Sequence, residues 1–297
     1  MFGPRKLFRL TLQAVKAWSN DYAPSMGAAI SYYTVFSLAP LLVIVIAVAG
    51  GVFGREAVQG EITGQISGMV GSQGGALVER LVAQHSDTGR GLVAGITSLV
   101  LLLVGATTVF AELQNALDRI WKVPEAEKPS GILGILRARL LSFGLILGVA
   151  FLLVVSLVVS AILASLGTWA GGLLPGWEVL LQGMNLAVSL AILSTLFAMI
   201  FKLMPSTPVR WSDVWVGAVV TAVLFEAGKL LIGLYIGKSG VNESFEAAGA
   251  LVIVLVWVYY AAQIFLLGAE FTKAYADAHG SLSAPRKAPQ EIPTRSS

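Results

Sequence analysis

Val214-Trp215-Val216-Gly217-Ala218-Val219-Val220-Thr221-Ala222-Val223-Leu224-Phe225-Glu226-Ala227-Gly228-Lys229-Leu230-Leu231-Ile232-Gly233-Leu234-Tyr235-Ile236 is an apolar run broken by two charges, Glu226 and Lys229. As a helix, a run of this length crosses the ~30 Å hydrocarbon core of a bilayer. A full charge at mid-depth costs roughly 2.5–3.5 kcal/mol on insertion scales. Side chains spaced i,i+3 share a helical face, so the two charges can touch. Two readings stay open: a salt bridge that fixes helix packing, or a polar site facing the protein interior.

The rest of the chain fits a membrane setting. Of 297 residues, 56% are hydrophobic and 12% charged, against about 25% charged in soluble domains. The reading is all-α: a polytopic integral membrane protein with six transmembrane helices. Working outward from the fifth segment (212–236), the expected spans are about 28–53, 91–112, 140–166, 179–204 and 247–272. They form a transmembrane domain over 25–275. Ahead of it, 1–24 reads as an amphipathic basic helix. Leu7, Thr11, Val15, Trp18 and Tyr22 line one face; Arg5, Arg9, Lys16 and Asn20 line the other. That pattern suits an anionic membrane surface, or an ordinary first helix packed on the bundle. Residues 55–90 read as an outer helical loop of two short amphipathic helices. The second span continues past the membrane to Trp121, bounded by Pro124 and Pro129. Residues 276–297 read as a disordered cytoplasmic tail.

Orientation follows from the basic residues. The N-terminal segment, the loop after span two, the turn after span four and the C-terminal part carry fifteen Lys and Arg, against four on the opposite side. Both termini are therefore expected in the cytoplasm, in a bacterial inner membrane crossed several times. At 1.5 Å per residue, Glu226 falls about 15 Å below the outer boundary and Lys229 about 10 Å. A lysine at that depth can snorkel; a glutamate cannot reach so far. Tyr259 and Gln263 fall about 18–24 Å below the same boundary, which makes them the expected neighbours of Glu226. Glu112 and Glu270 are expected at the cytoplasmic boundary as interface residues. The polar start of span one, Ser31, Tyr33 and Thr34, and Asn115 on the extension of span two complete the candidate intramembrane or transport set.

Chemistry of the soluble-enzyme kind is not expected. There is no Cys, and the two His, His85 and His279, lie outside the apolar segments on opposite sides. No HExxH, GxSxG or phosphate-binding Gly-rich motif appears. No catalytic residue, metal site or cofactor is expected. Expected partners are membrane lipids, with anionic headgroups at the N-terminal helix, and no nucleic acid; a homo-oligomer is left open.

Three stretches carry a family resemblance. They are Ala28-Ala29-Ile30-Ser31-Tyr32-Tyr33-Thr34-Val35-Phe36-Ser37-Leu38-Ala39-Pro40, then Leu113-Gln114-Asn115-Ala116-Leu117-Asp118-Arg119-Ile120-Trp121-Lys122-Val123, and the run from Pro205 and Trp211 through Phe225-Glu226-Ala227-Gly228-Lys229 to Trp257-Val258-Tyr259 and Leu267-Gly268-Ala269-Glu270. Over about residues 10–275 the chain resembles the bacterial YihY/virulence factor BrkB family of inner-membrane proteins, once labelled ribonuclease BN. The resemblance implies six membrane helices and a transporter, with lipid or lipopolysaccharide-related molecules among the proposed cargoes. It supplies no catalytic residues. The loop Ser239–Gly249 departs from the Tyr-Gly pairing expected near the start of the sixth span. The functional expectation is a transporter or flippase for a lipid-like or small solute, with its polar site around Glu226. A non-transporting interaction or scaffold protein is the alternative, and a ribonuclease is the third reading.

Overall fold

A computed structural model gives the fold. It describes residues 4–70, 108–125, 177–238 and 246–279 throughout, with isolated positions between 75 and 165. Among the continuously described residues there are seven helices: α1 (Pro4–Asn20), α2 (Ala23–Phe53), α3 (Arg55–Val70), α4 (108–120), α5 (Trp177–Leu203), α6 (Trp211–Lys238) and α7 (Glu246–His279). No strand occurs among the described residues. Spans 91–112 (up to its last residues) and 140–166, the loop after α3 and the tail beyond 279 lie outside the continuously described residues.

Local chemistry sets the helix ends. Tyr22 holds a left-handed conformation (φ 58°) ahead of α2, and Pro24 enters its first turn, where a missing N–H costs nothing. α2 thus begins at Ala23 rather than near 28. At its other end Gly54 has φ 87° and returns its N–H to the Gly50 carbonyl at 3.0 Å, a conformation that favours glycine. The chain turns there directly into α3. α5 stops before Pro205, as a residue preceding proline disfavours helix.

α5, α6 and α7 form an antiparallel layer, and α2 packs on the far side of α7. The α6–α7 seam is unusually close. A methyl on Gly217 would lie 1.7 Å from Thr272 Oγ1, and one on Gly268 would lie 1.9 Å from Thr221 Oγ1. Thr221 and Thr272 return their hydroxyl protons to the Gly217 and Gly268 carbonyls, each at 2.7 Å. Each helix therefore offers a glycine to the other's threonine, with every hydroxyl satisfied inside its own helix. Small residues at such spacing let membrane helices approach and gain dispersion contact. Above this seam, aromatic rings fill the layer: Phe197 and Phe225 at 5.8 Å, Phe201 and Phe265 at 5.2 Å, Phe225 and Trp257 at 5.9 Å between centroids.

The outward faces are apolar. Leu180, Leu186, Val219, Val223, Leu231 and Leu251 are all exposed, a surface that water does not favour and lipid does. Among the described residues, three helices are long and apolar enough to cross a membrane: Leu180–Leu203, Trp211–Lys229 and Leu251–Ala278.

α7 corrects one boundary. It runs to His279, so the region from 276 does not begin as a disordered tail. Its last turns are held because Phe271, Ala274 and Tyr275 pack against Leu10 and Ala14 of α1. α1 packs through a face other than the two expected ones. Leu10 and Ala14 are buried on the bundle, whereas Leu7, Val15 and Tyr22 of the expected apolar stripe stay exposed, as do Phe8 and Leu12.

Candidate functional site

The charged pair in α6 closes on itself. Lys229 Nζ lies 2.7 Å from Glu226 Oε2, the contact that i,i+3 spacing allows. Glu226 accepts a second hydrogen bond at Oε1 from the Ser189 hydroxyl of α5. The Glu226 side chain is 17% exposed and that of Lys229 29%. Both carboxylate oxygens are thus engaged, and the group sits at the α5–α6 seam.

This corrects the expected geometry. Glu226 has Ser189 as its cross-helix partner, not Tyr259 or Gln263. The tyrosine of α7 that meets α6 here is Tyr260, whose hydroxyl would lie 3.1 Å from a methyl on Gly228. Gln263 faces α2 instead. Its Nε2 reaches the Ala23 carbonyl at 3.5 Å and fills the space that Gly27 leaves open, since a methyl there would lie 1.9 Å away. Ser31 also works across helices, donating to the Leu255 carbonyl at 2.8 Å, while Thr34 bonds back to Ile30 at 2.7 Å. Tyr33 belongs to an exposed aromatic group, edge-on to Tyr32 at 5.5 Å. Asn115 is exposed and Glu112 half-buried on α4. The candidate set is therefore dispersed over several seams.

A buried carboxylate that sequence reasoning left out ties α4 to the α5–α6 turn. Asp118 is 3% exposed and accepts from Ser206 twice, from its N–H and from its hydroxyl, each at 2.7 Å. The Pro205 turn thereby finds a partner for a backbone donor no helix could satisfy. Arg119 beside it lies 5.5 Å over the Tyr22 ring, within cation–π range.

Glu270 is the larger surprise. Expected near the cytoplasmic boundary, it is not open to its surroundings there: it is 1% exposed. Its carboxyl meets that of Asp21 within hydrogen-bonding reach, and its Oε1 has no hydrogen-bond partner. The cause is topological. The α1–α2 turn folds Asp21 back onto α7, a long-range contact that no spacing in the sequence reveals. Among the described residues no group of three or more His, Cys, Asp or Glu could hold a metal ion.

The comparisons agree with this helical membrane architecture. The sequence model of the family described as Virulence factor BrkB matches residues 14–293. A UPF0761 membrane protein of Pseudomonas aeruginosa (strain LESB58) is 30% identical over 253 residues, covering 84% of this chain and 58% of that protein. Another from Ralstonia nicotianae is 29% identical over 269 residues, covering 89% and 58%. The chain spans just under three-fifths of the length of these curated relatives. No solved structure matches it. With the family match extending over nearly its whole length, this chain, an integral membrane protein, belongs to the virulence factor BrkB family.

Proposed function

We propose that this protein is a multi-pass inner-membrane transporter or flippase, not an enzyme, that moves a lipid-like molecule or small solute across six spans with both termini in the cytoplasm. One observation carries the reading. Glu226, Lys229 and Ser189 form a compact polar group inside α6 and α5, helices long and apolar enough to cross a membrane. A pair of opposite charges with a hydroxyl beside it can exchange its internal contacts for those of a passing polar group. The exposed apolar sides of the same helices suit an amphiphile whose tail stays in lipid.

The test is reconstitution. Purified protein in liposomes should move a labelled phospholipid between leaflets. Glu226→Gln keeps an acceptor for Ser189 but removes the charge, and should reduce movement to the protein-free rate with the melting temperature nearly unchanged. Normal movement by Glu226→Gln would remove the pair from the mechanism.

The exposed Leu7, Phe8 and Leu12 on α1, beside basic Arg5, Lys6 and Arg9, favour contact with an anionic membrane surface. The same face would serve the interaction-protein reading, in which crosslinking in cells from this helix captures a stoichiometric protein rather than lipid.

A further inference from the structure

Two adjoining cavities run between α1 and the last turns of α7. The inner one, about 360 Å³, is lined by Gln13, Glu270, Lys273 and Asp277 among others. The outer one, about 200 Å³, is lined by Lys6, Arg9, Gln13 and Ala278. Gln13 and Ala278 border both, so they form one groove with opposite charges at its two ends. At the basic end, Lys6 and Arg9 are exposed. At the acidic end, Asp277 holds Lys273 at 3.4 Å. Glu270 is 1% exposed there, with Oε1 lacking any partner.

A buried carboxylate oxygen without a donor costs the full desolvation of that atom. Its neighbour Asp21 is a second carboxyl and supplies no positive charge. At the inner end the one lining lysine, Lys273, is taken up by Asp277, so no donor reaches Glu270 Oε1; at the outer end the lining holds Lys6 and Arg9 and no anion. Arg and Lys favour phosphate. A quaternary ammonium has no N–H to give Oε1, whereas a primary ammonium has three.

We propose that the α1–α7 groove binds the headgroup of a zwitterionic phospholipid, its phosphate on Lys6 and Arg9 and its primary ammonium on Glu270 and Asp277. The surroundings select a lipid over a free headgroup. Leu7, Phe8 and Leu12 lie exposed beside Lys6 and Arg9, an apolar strip that acyl chains would cover. The apolar stretch Leu251–Ala278 ends at the groove, so the site lies at headgroup level. The inference rests on the membrane-surface reading of α1. It stands apart from transport, because it reads lipid retention rather than lipid movement.

The full-length protein in detergent micelles, given equal amounts of phosphatidylethanolamine, phosphatidylcholine and phosphatidylglycerol, reports the preference by native mass spectrometry. Phosphatidylethanolamine should be retained about tenfold over each of the others, the worth of one charge-assisted hydrogen bond. Glu270→Gln and the half-exposed Asp277→Asn should each bring that ratio toward one. Lys6→Gln with Arg9→Gln should lower retention of all three lipids together. Asp277→Asn lies at the surface, so folding does not confound it. Equal retention of the three lipids by the unaltered protein would overturn the proposal, as would a preference that survives Glu270→Gln and Asp277→Asn combined. Displacement of bound lipid by free phosphoethanolamine at equal concentration would overturn the lipid as occupant. Glu226→Gln should leave the preference intact even if it stops transport.

Discussion

Glu226 and Glu270 both stand in apolar helices, yet their surroundings differ in kind. Glu226 has each oxygen engaged, one by Lys229 at 2.7 Å and one by Ser189, and remains 17% exposed. Glu270 is 1% exposed, lies against another carboxyl, and has an oxygen with no partner beside a cavity. The charge that stands out in the sequence is the better satisfied of the two. A glutamate is conspicuous in an apolar run because of what surrounds it in the chain. Its availability for a ligand depends on what surrounds it in space, which helix packing decides. The comparison therefore separates a self-contained polar group, which a transport step would have to open, from a site that already lacks a partner.

The largest expected effect comes from breaking the first group on its basic side. Lys229→Met leaves the Glu226 carboxylate with Ser189 alone. A glutamate side chain is too short to reach the headgroups from mid-helix. Removing one member of a buried ion pair costs about 3 kcal/mol. The double variant Lys229→Met with Glu226→Gln should recover most of that loss, because no uncompensated charge remains. Unfolding of the purified protein in mixed micelles measures both. Equal losses in the single and double variants would mean that the pair adds nothing beyond its separate side chains.

A smaller loss tests the frame that holds Glu270. Gly268 lies one half-turn before it on α7, and a methyl there would meet both Oγ1 and, at 2.8 Å, Cβ of Thr221. Rotating the threonine cannot clear its own Cβ. Gly268→Ala should therefore push α6 from α7 and cost about 2 kcal/mol, the usual range for overpacking. Gly60→Ala on α3, where a methyl meets nothing within 4 Å, should cost nothing measurable and serves as the control. A loss equal to that of Gly60→Ala would show that the seam has slack.

These contrasts mark how far the sequence could be read. Composition and apolar runs locate α5 and α6 within two residues at either end and the start of α7, though not its last turns beyond 272, and i,i+3 spacing brings Lys229 to Glu226, because both are properties of one helix. Family membership was legible from three ordered motifs. The seams were not. Ser189 stands 37 positions from Glu226, Ser206 88 from Asp118, and Leu255 224 from Ser31. A helical wheel ranks residues around one axis but fixes no rotation of that axis against its neighbour. One position is 100° on the wheel, which is how Tyr260 comes to meet α6 at Gly228 where Tyr259 was expected. Glycines in register with threonines, Gly217 with Thr272 and Gly268 with Thr221, were the signal that could have set the α6–α7 rotation.

The smallest effect carries the opposite sign. Glu270→Gln replaces one of two abutting carboxyls with an amide that can donate to Asp21 and still present an oxygen to the cavity. Two carboxyls so placed either repel or must hold a proton between them, and the amide removes both conditions. The expected result is a gain of up to about 1 kcal/mol, the net worth of one neutral hydrogen bond, measured in the same micelles as Lys229→Met. The two glutamates would then respond oppositely: the satisfied group loses stability when its partner is removed, whereas the unsatisfied one gains when its charge is. Such a gain is what a binding site predicts, since a carboxylate that costs the fold stability while its oxygen lacks a donor is one that a ligand's donor would satisfy. A loss as large as that of Lys229→Met would place Glu270 among the structural carboxylates beside Asp118, with Asp21 as its permanent partner and no ligand required.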